Sequence, residues 1–296
     1  MHADEVDVDA ELVSRLVAEQ LPQWEGLPIE PVYPRGTDNA LYRLGDAMVV
    51  RLPRRQMDAE RLEKERHWLP RLAPALPLAV PVPLAAGVPG AGYPFAWSVY
   101  SWLPGEPATA DRLVDLRRAA TDLAQFVGAL QRVDPADGPP PGPHNAFRGA
   151  PLPTRDGSTR AAIASLAGTV DSALLIAAWE AALDAPEWRG GPVWIHGDLD
   201  SRNLLTDKGR LTAVIDFGCL GVGDPAYDIA VAWKVFSPDV RDVFRARLAI
   251  DDATWARGRG LVLSQALIAL GYYTVETNSV LVGQAERWLA EVIADI

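Results

Sequence analysis

Cysteine occurs once in these 296 residues, at Cys219, so the chain cannot close a disulfide on itself and must be held by a packed core. Histidine is nearly as scarce: His2, His67, His144 and His196 are scattered, and with one cysteine they do not make a zinc site. No apolar run approaches the roughly 20 residues that span a bilayer, which excludes a membrane partner of that kind. The opening Met1-His2-Ala3-Asp4-Glu5 is acidic and has no apolar centre, so it does not read as a secretory signal, and the expected location is the cytoplasm. Basic residues are outnumbered, Lys+Arg 28 against Asp+Glu 39, for a net charge of −11. A nucleic-acid partner wants the opposite balance and is excluded on that ground. The acidic excess suits a cationic small molecule as well as plain solubility. No internal repeat is present, and the one biased stretch, 135–153, is rich in Pro and Gly and reads as a connector.

What remains is ordinary for a globular protein, 49% apolar and 23% charged, and long enough to bury a sizeable core. Asp9 precedes Leu12, Val13, Leu16 and Val17, a capped amphipathic helix. The period then changes. Residues 30–33, 40–44 and 47–52 read as short strands separated by Gly36-Thr37-Asp38-Asn39 and Gly45-Asp46. A helix is expected over 58–72, an extended edge over 80–83, and a strong strand over 93–102 that Leu103-Pro104-Gly105 breaks. Beyond that break the chain is mostly helical in pattern: 109–133, 160–183, 226–236, 239–249, 252–273 and 279–293. Strands at 193–195, 204–206 and 211–215 interrupt it, the last two joined by a turn at Asp207-Lys208-Gly209. The expected plan is α+β: a small β-rich lobe over 1–103 with a hinge near 101–105, a larger helical lobe over 104–296, and a ligand cleft between them.

The informative stretch is Val193 to Asp228. It holds His196-Gly197-Asp198, then Asn203, then Ile215-Asp216-Phe217-Gly218, then Asp224-Pro225-Ala226-Tyr227-Asp228. Asn203 follows Asp198 by five residues and Asp216 follows Asn203 by thirteen. One carboxylate to orient a hydroxyl, with an amide and a second carboxylate to hold magnesium on a nucleotide, is the polar set that phosphoryl transfer needs. Upstream, strand alternation sets Val49 and Arg51 on one face, toward the cleft. Glu65 shares a helical face with Leu62, Leu69 and Leu72.

These motifs, in this order and spacing, resemble the aminoglycoside phosphotransferase family, small-molecule kinases with a protein-kinase-like fold, and the resemblance extends from the strands near Tyr33 to the helix after Asp228. It implies a bilobal kinase-like architecture with Asp198 as catalytic base and Asn203 and Asp216 as Mg2+ ligands. Val49 would line the adenine pocket and Arg51 would hold the α- and β-phosphates of ATP or GTP. Arg51 stands where such kinases carry lysine, a planar fork in place of a point charge; Arg54 is an alternative source of the cation. Glu65 would pair with that cation, with Glu60 and Glu63 as competitors. The backbone of Ser101 and Leu103 would bond the purine edge, with Tyr100 at the back of the base pocket. His196, Asp224 and Asp228 are expected to support the catalytic loop, with general acid–base work as the alternative for His196. Asp200 reads as a solvated loop charge or a group touching a cationic substrate or the metal, and Arg202 as a surface charge or one that screens the transferring phosphate. Gly36-Thr37-Asp38-Asn39 stands in place of a glycine-rich phosphate loop, with a single glycine and no GxGxxG.

The acceptor is expected to be a small molecule bound against the helical lobe by a monomer or homodimer. For an aminoglycoside, converging carboxylates are needed, and Asp251, Asp252, Glu276 and Glu286 are the candidates. For a macrolide or nucleoside antibiotic, apolar walls are needed, which Trp233, Trp255, Tyr272 and Tyr273 could supply. A metabolic kinase for choline, homoserine or a thio-sugar, and a nucleotide-binding pseudokinase, are the competing readings.

Overall fold

Asp9 accepts a hydrogen bond from the Leu12 N–H at 2.7 Å and starts α1 (Ala10–Gln20). That helix covers one face of an antiparallel sheet. In the computed structural model, which describes residues 5–33 and 38–296, the sheet is built from β1 (Ile29–Pro31), β2 (Asn39–Leu44), β3 (Met48–Pro53), β4 (Pro83–Gly87) and β5 (Trp97–Ser101) in the order β1-β2-β3-β5-β4. Alternation sorts the strands. Val50, Leu52, Trp97 and Val99 pack with Leu12, Val13, Leu16 and Val17 of α1. Each such side chain removed from water contributes about 1.5–3 kcal/mol. Val49 and Tyr100, paired across β3 and β5, face the other way and join the core shared with the rest of the molecule. On that side lies α2 (Gln56–Leu72), with Leu62, Glu65, Leu69 and Leu72 buried.

After β6 (Glu106–Pro107) the described chain is mainly helical: α3 (Leu116–Arg132), α4 (Asp156–Ser165), α5 (Ser172–Leu183), and then, past the strands β7 (Val193–Ile195), β8 (Leu204–Asp207), β9 (Arg210–Val214) and β10 (Gly221–Gly223), α6 (Ala226–Ile229), α7 (Val231–Val235), α8 (Pro238–Leu248), α9 (Asp252–Tyr272) and α10 (Val275–Ile293). The α+β plan, a sheet-bearing N-terminal part and a helical remainder, is therefore present.

Several boundaries differ from the sequence reading. The helix expected from Thr109 begins at Leu116, because Asp115 caps it through the Arg118 N–H at 2.9 Å. The preceding Ala108 N–H donates instead to the carbonyls of Ser201 and Leu204, at 3.0 and 2.8 Å. The helix expected over 160–183 breaks into α4 and α5 between Leu166 and Asp171, where Gly168 has φ +89° and Asp171 caps α5. The strand expected from Tyr93 starts at Trp97, because Gly90 and Tyr93 close a turn on each other ahead of Pro94. The helix over 226–236 divides into α6 and α7, and α10 begins at Val275 and carries a kink at Asn278. No helix among the described residues is long and apolar enough to cross a membrane.

Candidate active site

Two hairpin-like pairings place the polar groups. In β8–β9, Leu204 pairs with Val214, and the turn uses Lys208 at φ 50° and Gly209 at φ 78°, the left-handed conformations a tight hairpin demands. That register sets Asn203 and Ile215 side by side at the open end, where the Ile215 N–H donates to the Asn203 carbonyl at 2.9 Å. Asp216 comes next and bends away at φ 63°, ψ 70°, an uncommon conformation for a residue with a Cβ and one that aspartate tolerates better than most. In the second pairing, β7 lies antiparallel to β10, Ile195 opposite Gly221. The loop bearing Asp198 leaves β7 at His196. Its first two amides, of His196 and Gly197, both donate to the Asp228 carboxylate on α6 at 2.8 Å. Gly197 has φ +81°, and a Cβ there would sit 2.7 Å from the Cys219 carbonyl, so the position requires glycine.

His196 is fully buried. The Asp198 N–H reaches its Nδ1 at 3.2 Å, so Nε2 carries the proton and donates to the Ile215 carbonyl at 3.0 Å. The ring thus ties the loop bearing Asp198 to the strand bearing Asp216. Asp224, just ahead of α6, accepts the Ala226 N–H at 2.9 Å and takes the Arg257 guanidinium on both oxygens. Asp200 is not the solvated loop charge anticipated from sequence. It is buried, accepting the Arg202 N–H at 2.7 Å and the Arg202 guanidinium from 2.5 Å, because the turn over 200–203 folds that arginine back upon it.

A cavity of about 280 Å3 lies where the sheet meets the helical part. Val49 and Arg51 line it from β3, Tyr100, Ser101 and Leu103 from the segment leaving β5, and Asn203, Ile215 and Asp216 from the hairpin. Arg51 donates to Glu65 through Nη1 at 2.5 Å and Nη2 at 3.2 Å. Neither Glu60 nor Glu63 nor Arg54 enters this pair. Burial pushes the Glu65 carboxyl up and Arg51 pulls it back, leaving it above the usual range, while Glu65 and Asp216 outweigh burial on Arg51 and hold its guanidinium firmly protonated. Lys64, beside Glu65 on α2, donates to the Gly218 carbonyl at 2.9 Å and so tethers the helix to the segment after Asp216. Of the turn expected to serve phosphate, Gly36 and Thr37 lie outside the described residues; Asp38 and Asn39 line the cavity, and Asp38 accepts Arg61 Nη1 at 2.7 Å.

Asn203 and Asp216 fit a magnesium ion. Asn203 Nδ2 donates to the Asp198 carbonyl at 2.8 Å, which leaves its Oδ1 for a cation. The Asp216 carboxylate has no hydrogen-bond or ion-pair partner among the described residues. No group of three or more His, Cys, Asp or Glu suited to a metal occurs among the described residues, and magnesium on a nucleotide needs only one or two protein carboxylates.

Asp198 does not line that cavity. It faces a neighbouring one of about 400 Å3, bounded by the loop after β7, α7, the end of α9 and α10. Arg148 Nη2 reaches Asp198 Oδ1 at 3.4 Å. Burial raises the Asp198 carboxyl, but Arg148, Lys234 and Arg202 together outweigh it and hold the group below its ordinary value. Tyr272 and Tyr273 line this cavity; Trp233 and Trp255 do not, and pack on each other with ring centroids 4.4 Å apart and planes tilted by 44°. None of Asp251, Asp252, Glu276 and Glu286 lines it. Asp251 instead caps α9 through the Thr254 N–H, and Asp252 pairs with Arg245.

Three residues of this region escaped the sequence reading: Arg148, Arg155 and Lys234. The stretch 135–153 is more than a connector. Asn145 is fully buried, accepting the Gly142 N–H and donating to the Arg148 carbonyl, and the Gly149 carbonyl accepts the Asp224 N–H at 2.9 Å. Lys234 did leave a signal, a lone charge inside the apolar run Val231–Phe236.

A sheet-bearing part set on a helical part, with this polar group at the junction, is the kinase-like architecture. The chain belongs to the phosphotransferase enzyme family, whose model matches residues 31–261. It is 30% identical over 169 residues to a hygromycin-B 4-O-kinase of Escherichia coli, a match that takes in 45% of this chain and 46% of that protein. It is 35% identical over 60 residues to an aminoglycoside 3'-phosphotransferase of Escherichia coli, 19% of this chain and 22% of the relative. The matches thus span less than half the length of these curated relatives. Among solved structures, the GDP and kanamycin complex of APH(2")-IIia superposes with a TM-score of 0.75 at 21% identity, over 96% of this chain and 98% of that one. The macrolide 2'-phosphotransferase MphH of Brachybacterium faecium superposes with a TM-score of 0.64 at 25% identity, over 96% and 97%.

Proposed function

We propose that this chain is a small-molecule O-phosphotransferase of the cytoplasm that moves the γ-phosphoryl group of ATP or GTP to an alcohol, with residues 1–103 as nucleotide lobe and hinge and 104–296 as the lobe of catalysis and acceptor binding. The observation that carries this reading is the hairpin register that sets Asn203 and Asp216 together on a cavity also lined by Val49 and Arg51. In it the purine lies between Val49 and Ile215, near Tyr100, against the backbone of Ser101 and Leu103. Among the described residues the Leu103 N–H has no acceptor, which suits a bond to the purine edge. Arg51, fixed by Glu65, meets the phosphates. Asn203 and Asp216 would hold a magnesium ion, which when bound neutralises charge on the phosphates.

Asp198 orients the acceptor hydroxyl. As that oxygen attacks the γ-phosphorus, its proton passes to the Asp198 carboxylate and the nucleoside diphosphate leaves. A carboxylate held below its ordinary value is a weak base, which suffices because the phosphoryl transition state is loose and positioning supplies most of the rate.

Relatives named for aminoglycosides and macrolides make an antibiotic alcohol the first acceptor to try, and the family resemblance points to an aminoglycoside. A second reading, an acceptor that is not a polyamine, is favoured by the cations around Asp198. The test is a thermal-shift titration with Mg–ATP and Mg–GTP, joined to mass detection of phosphorylated product over a panel of antibiotics and metabolites. Asp216→Ala should abolish the magnesium-dependent shift. Asp198→Asn should keep the shift and lower turnover at least about 100-fold. Turnover that survives Asp198→Asn refutes the base assignment, and a shift that survives Asp216→Ala refutes the metal assignment.

A further inference from the structure

The cavity facing Asp198 has the wrong sign for a polycation. Among the described residues Asp198 is the only carboxylate lining it, against Arg148, Arg155, Arg202 and Lys234. Two of these cations are already matched: Arg202 lies on Asp200, and Arg148 on Asp198 itself. The other two are not. Arg155 Nε donates to the neutral Ser264 hydroxyl at 2.9 Å, and no carboxylate among the described residues lies within salt-bridge distance of it. Lys234 is 3% exposed, and among the described residues it has neither an ion pair nor a hydrogen bond. Its ammonium rests over the Trp288 ring at 4.9 Å.

Lys234 is a buried cation with no carboxylate in ion-pair contact, so it has lost hydration and regained only part of it from the more distant Asp198 and Asp200; an anion is the ligand that restores the balance. The chain as a whole carries −11, so this is a local reversal of sign at one cavity and not part of a basic surface. Apart from Gln265, the remaining lining is apolar or aromatic, with Ile268, Leu281 and Tyr273 beside Trp288. Arg155 and Lys234 line the acceptor-side cavity and not the one holding Val49, Arg51 and Asp216, so the phosphates of a nucleotide are not their obvious partner.

We propose that the acceptor is an alcohol bearing an acidic group, a carboxylate or a phosphate ester, on an apolar or aromatic frame, and that Lys234 and Arg155 receive that anion while Asp198 takes the hydroxyl. This rests on the kinase reading for the role of Asp198. Burial lowers the Lys234 ammonium; Asp198 and Asp200 pull it up, and Arg148 and Arg202 push it down. An arriving anion adds to the upward pull, so binding takes up a proton and weakens as pH rises past the free-state value.

The experiment measures equilibrium binding, without nucleotide, of four matched probes: 4-(hydroxymethyl)benzoate, 4-(hydroxymethyl)phenyl phosphate, 4-methylbenzyl alcohol and protonated 4-(hydroxymethyl)benzylamine. At least one anion should bind about tenfold tighter than the neutral alcohol, with the amine weakest. Which anion is tighter names the acidic group. Lys234→Met should erase the anion advantage, leave the neutral alcohol unchanged and keep the Mg–ATP thermal shift. That variant exchanges an unpaired buried cation for an apolar side chain, so it should fold; Arg155→Gln is the second, and it should reduce the advantage. An amine that binds as well as either anion, an anion advantage that survives Lys234→Met, or no binding by either anion overturns the proposal. Loss of the nucleotide shift in Lys234→Met also overturns it, since Lys234 would then serve the nucleotide. Failure of the kinase reading is seen separately, in wild-type protein that gives no magnesium-dependent nucleotide shift.

Discussion

Removing the carboxylate of Glu65 isolates what one buried ion pair does here. Arg51 and Glu65 make two parallel hydrogen bonds, and their side chains are 11% and 1% exposed. Arg51 is also held 5.3 Å from the Tyr100 ring. In Glu65→Ala the guanidinium stays in its burial site with nothing to accept its protons. Breaking a buried pair from one side costs about 3–5 kcal/mol. At about 1.6 °C per kcal/mol for a chain of this size, that lowers Tm by roughly 5–8 °C. Glu65→Gln keeps one neutral acceptor and should lose about half as much. The double variant Arg51→Met, Glu65→Leu removes both charges together, and replacing such a pair by apolar groups is often neutral. It should therefore recover most of the stability while failing to recover nucleotide affinity. Urea unfolding followed by tryptophan fluorescence reads the first quantity, and nucleotide titration reads the second. A loss below about 1 kcal/mol in Glu65→Ala would refute the buried pair. A double variant no more stable than the single one would show that the cost comes from packing and not from an orphaned charge.

Two further perturbations test other joints of the site. Burial lowers the Lys64 ammonium from 10.5 to about 8, against the pull of Cys219 and Glu65. At this group the unfolded chain then holds more protons than the folded one between about pH 8 and the ordinary lysine value of 10.5, so the Lys64 contribution to stability should rise with pH across that window, by at most roughly 3 kcal/mol, against the opposite trend of the buried Cys219, Tyr93, Tyr100 and Tyr227. In Lys64→Gln that rise should shrink, and parallel curves for the two proteins over the same window would refute it. In Gly223→Ala the new Cβ would lie 2.4 Å from the Gly149 carbonyl oxygen, with backbone as its three nearest neighbours. The expected loss is about 1–3 kcal/mol by urea unfolding, together with reduced turnover as residues 145–149 shift and carry Arg148 with them. An unchanged midpoint would mean that this loop yields freely.

The parts of the site held by backbone register are readable from the chain alone. Alternation along β3 gives Val49 and Arg51 a common face whatever else packs nearby, and the Asp207–Arg210 turn fixes Asn203 beside Ile215. The parts held by distant contacts are not. Asp200 looks like any loop aspartate until Arg202 is seen folded over it. Residues 135–153 have a connector's composition, yet the Gly149 carbonyl, the Pro139 carbonyl and the Asn145 amide are bonding groups that proline and glycine content says nothing about. The start of α3 departs from the sequence pattern for a similar reason. Residues 109–115 have helical periodicity, but Asp115 caps the helix behind them and Ala108 is bonded to the catalytic loop, so the intervening chain is drawn away from helix by tertiary hydrogen bonds.

Charge is where sequence and site diverge most, and the divergence bears on the acceptor. A net charge of −11 counts every ionised side chain equally, but a bound ligand feels chiefly the few charges that line its cavity. Much of the acidic excess here is taken up by local structure. Asp9, Asp115, Asp171 and Asp251 cap helices, Asp224 and Asp228 brace the catalytic loop, and Asp252 and Glu291 sit on arginines. Such carboxylates contribute to solubility and steering without lining the cavity beside Asp198. Beside Asp198 the balance is reversed, because the loop through Arg148 and the apolar helix α7 each deliver a cation there. An overall acidic composition would select a polyamine only if its carboxylates converged on the reacting hydroxyl. Here Asp251, Asp252, Glu276 and Glu286 lie away from that cavity, so the electrostatic argument for a cationic acceptor loses its premise and the one for an anionic acceptor gains two named partners, Lys234 and Arg155.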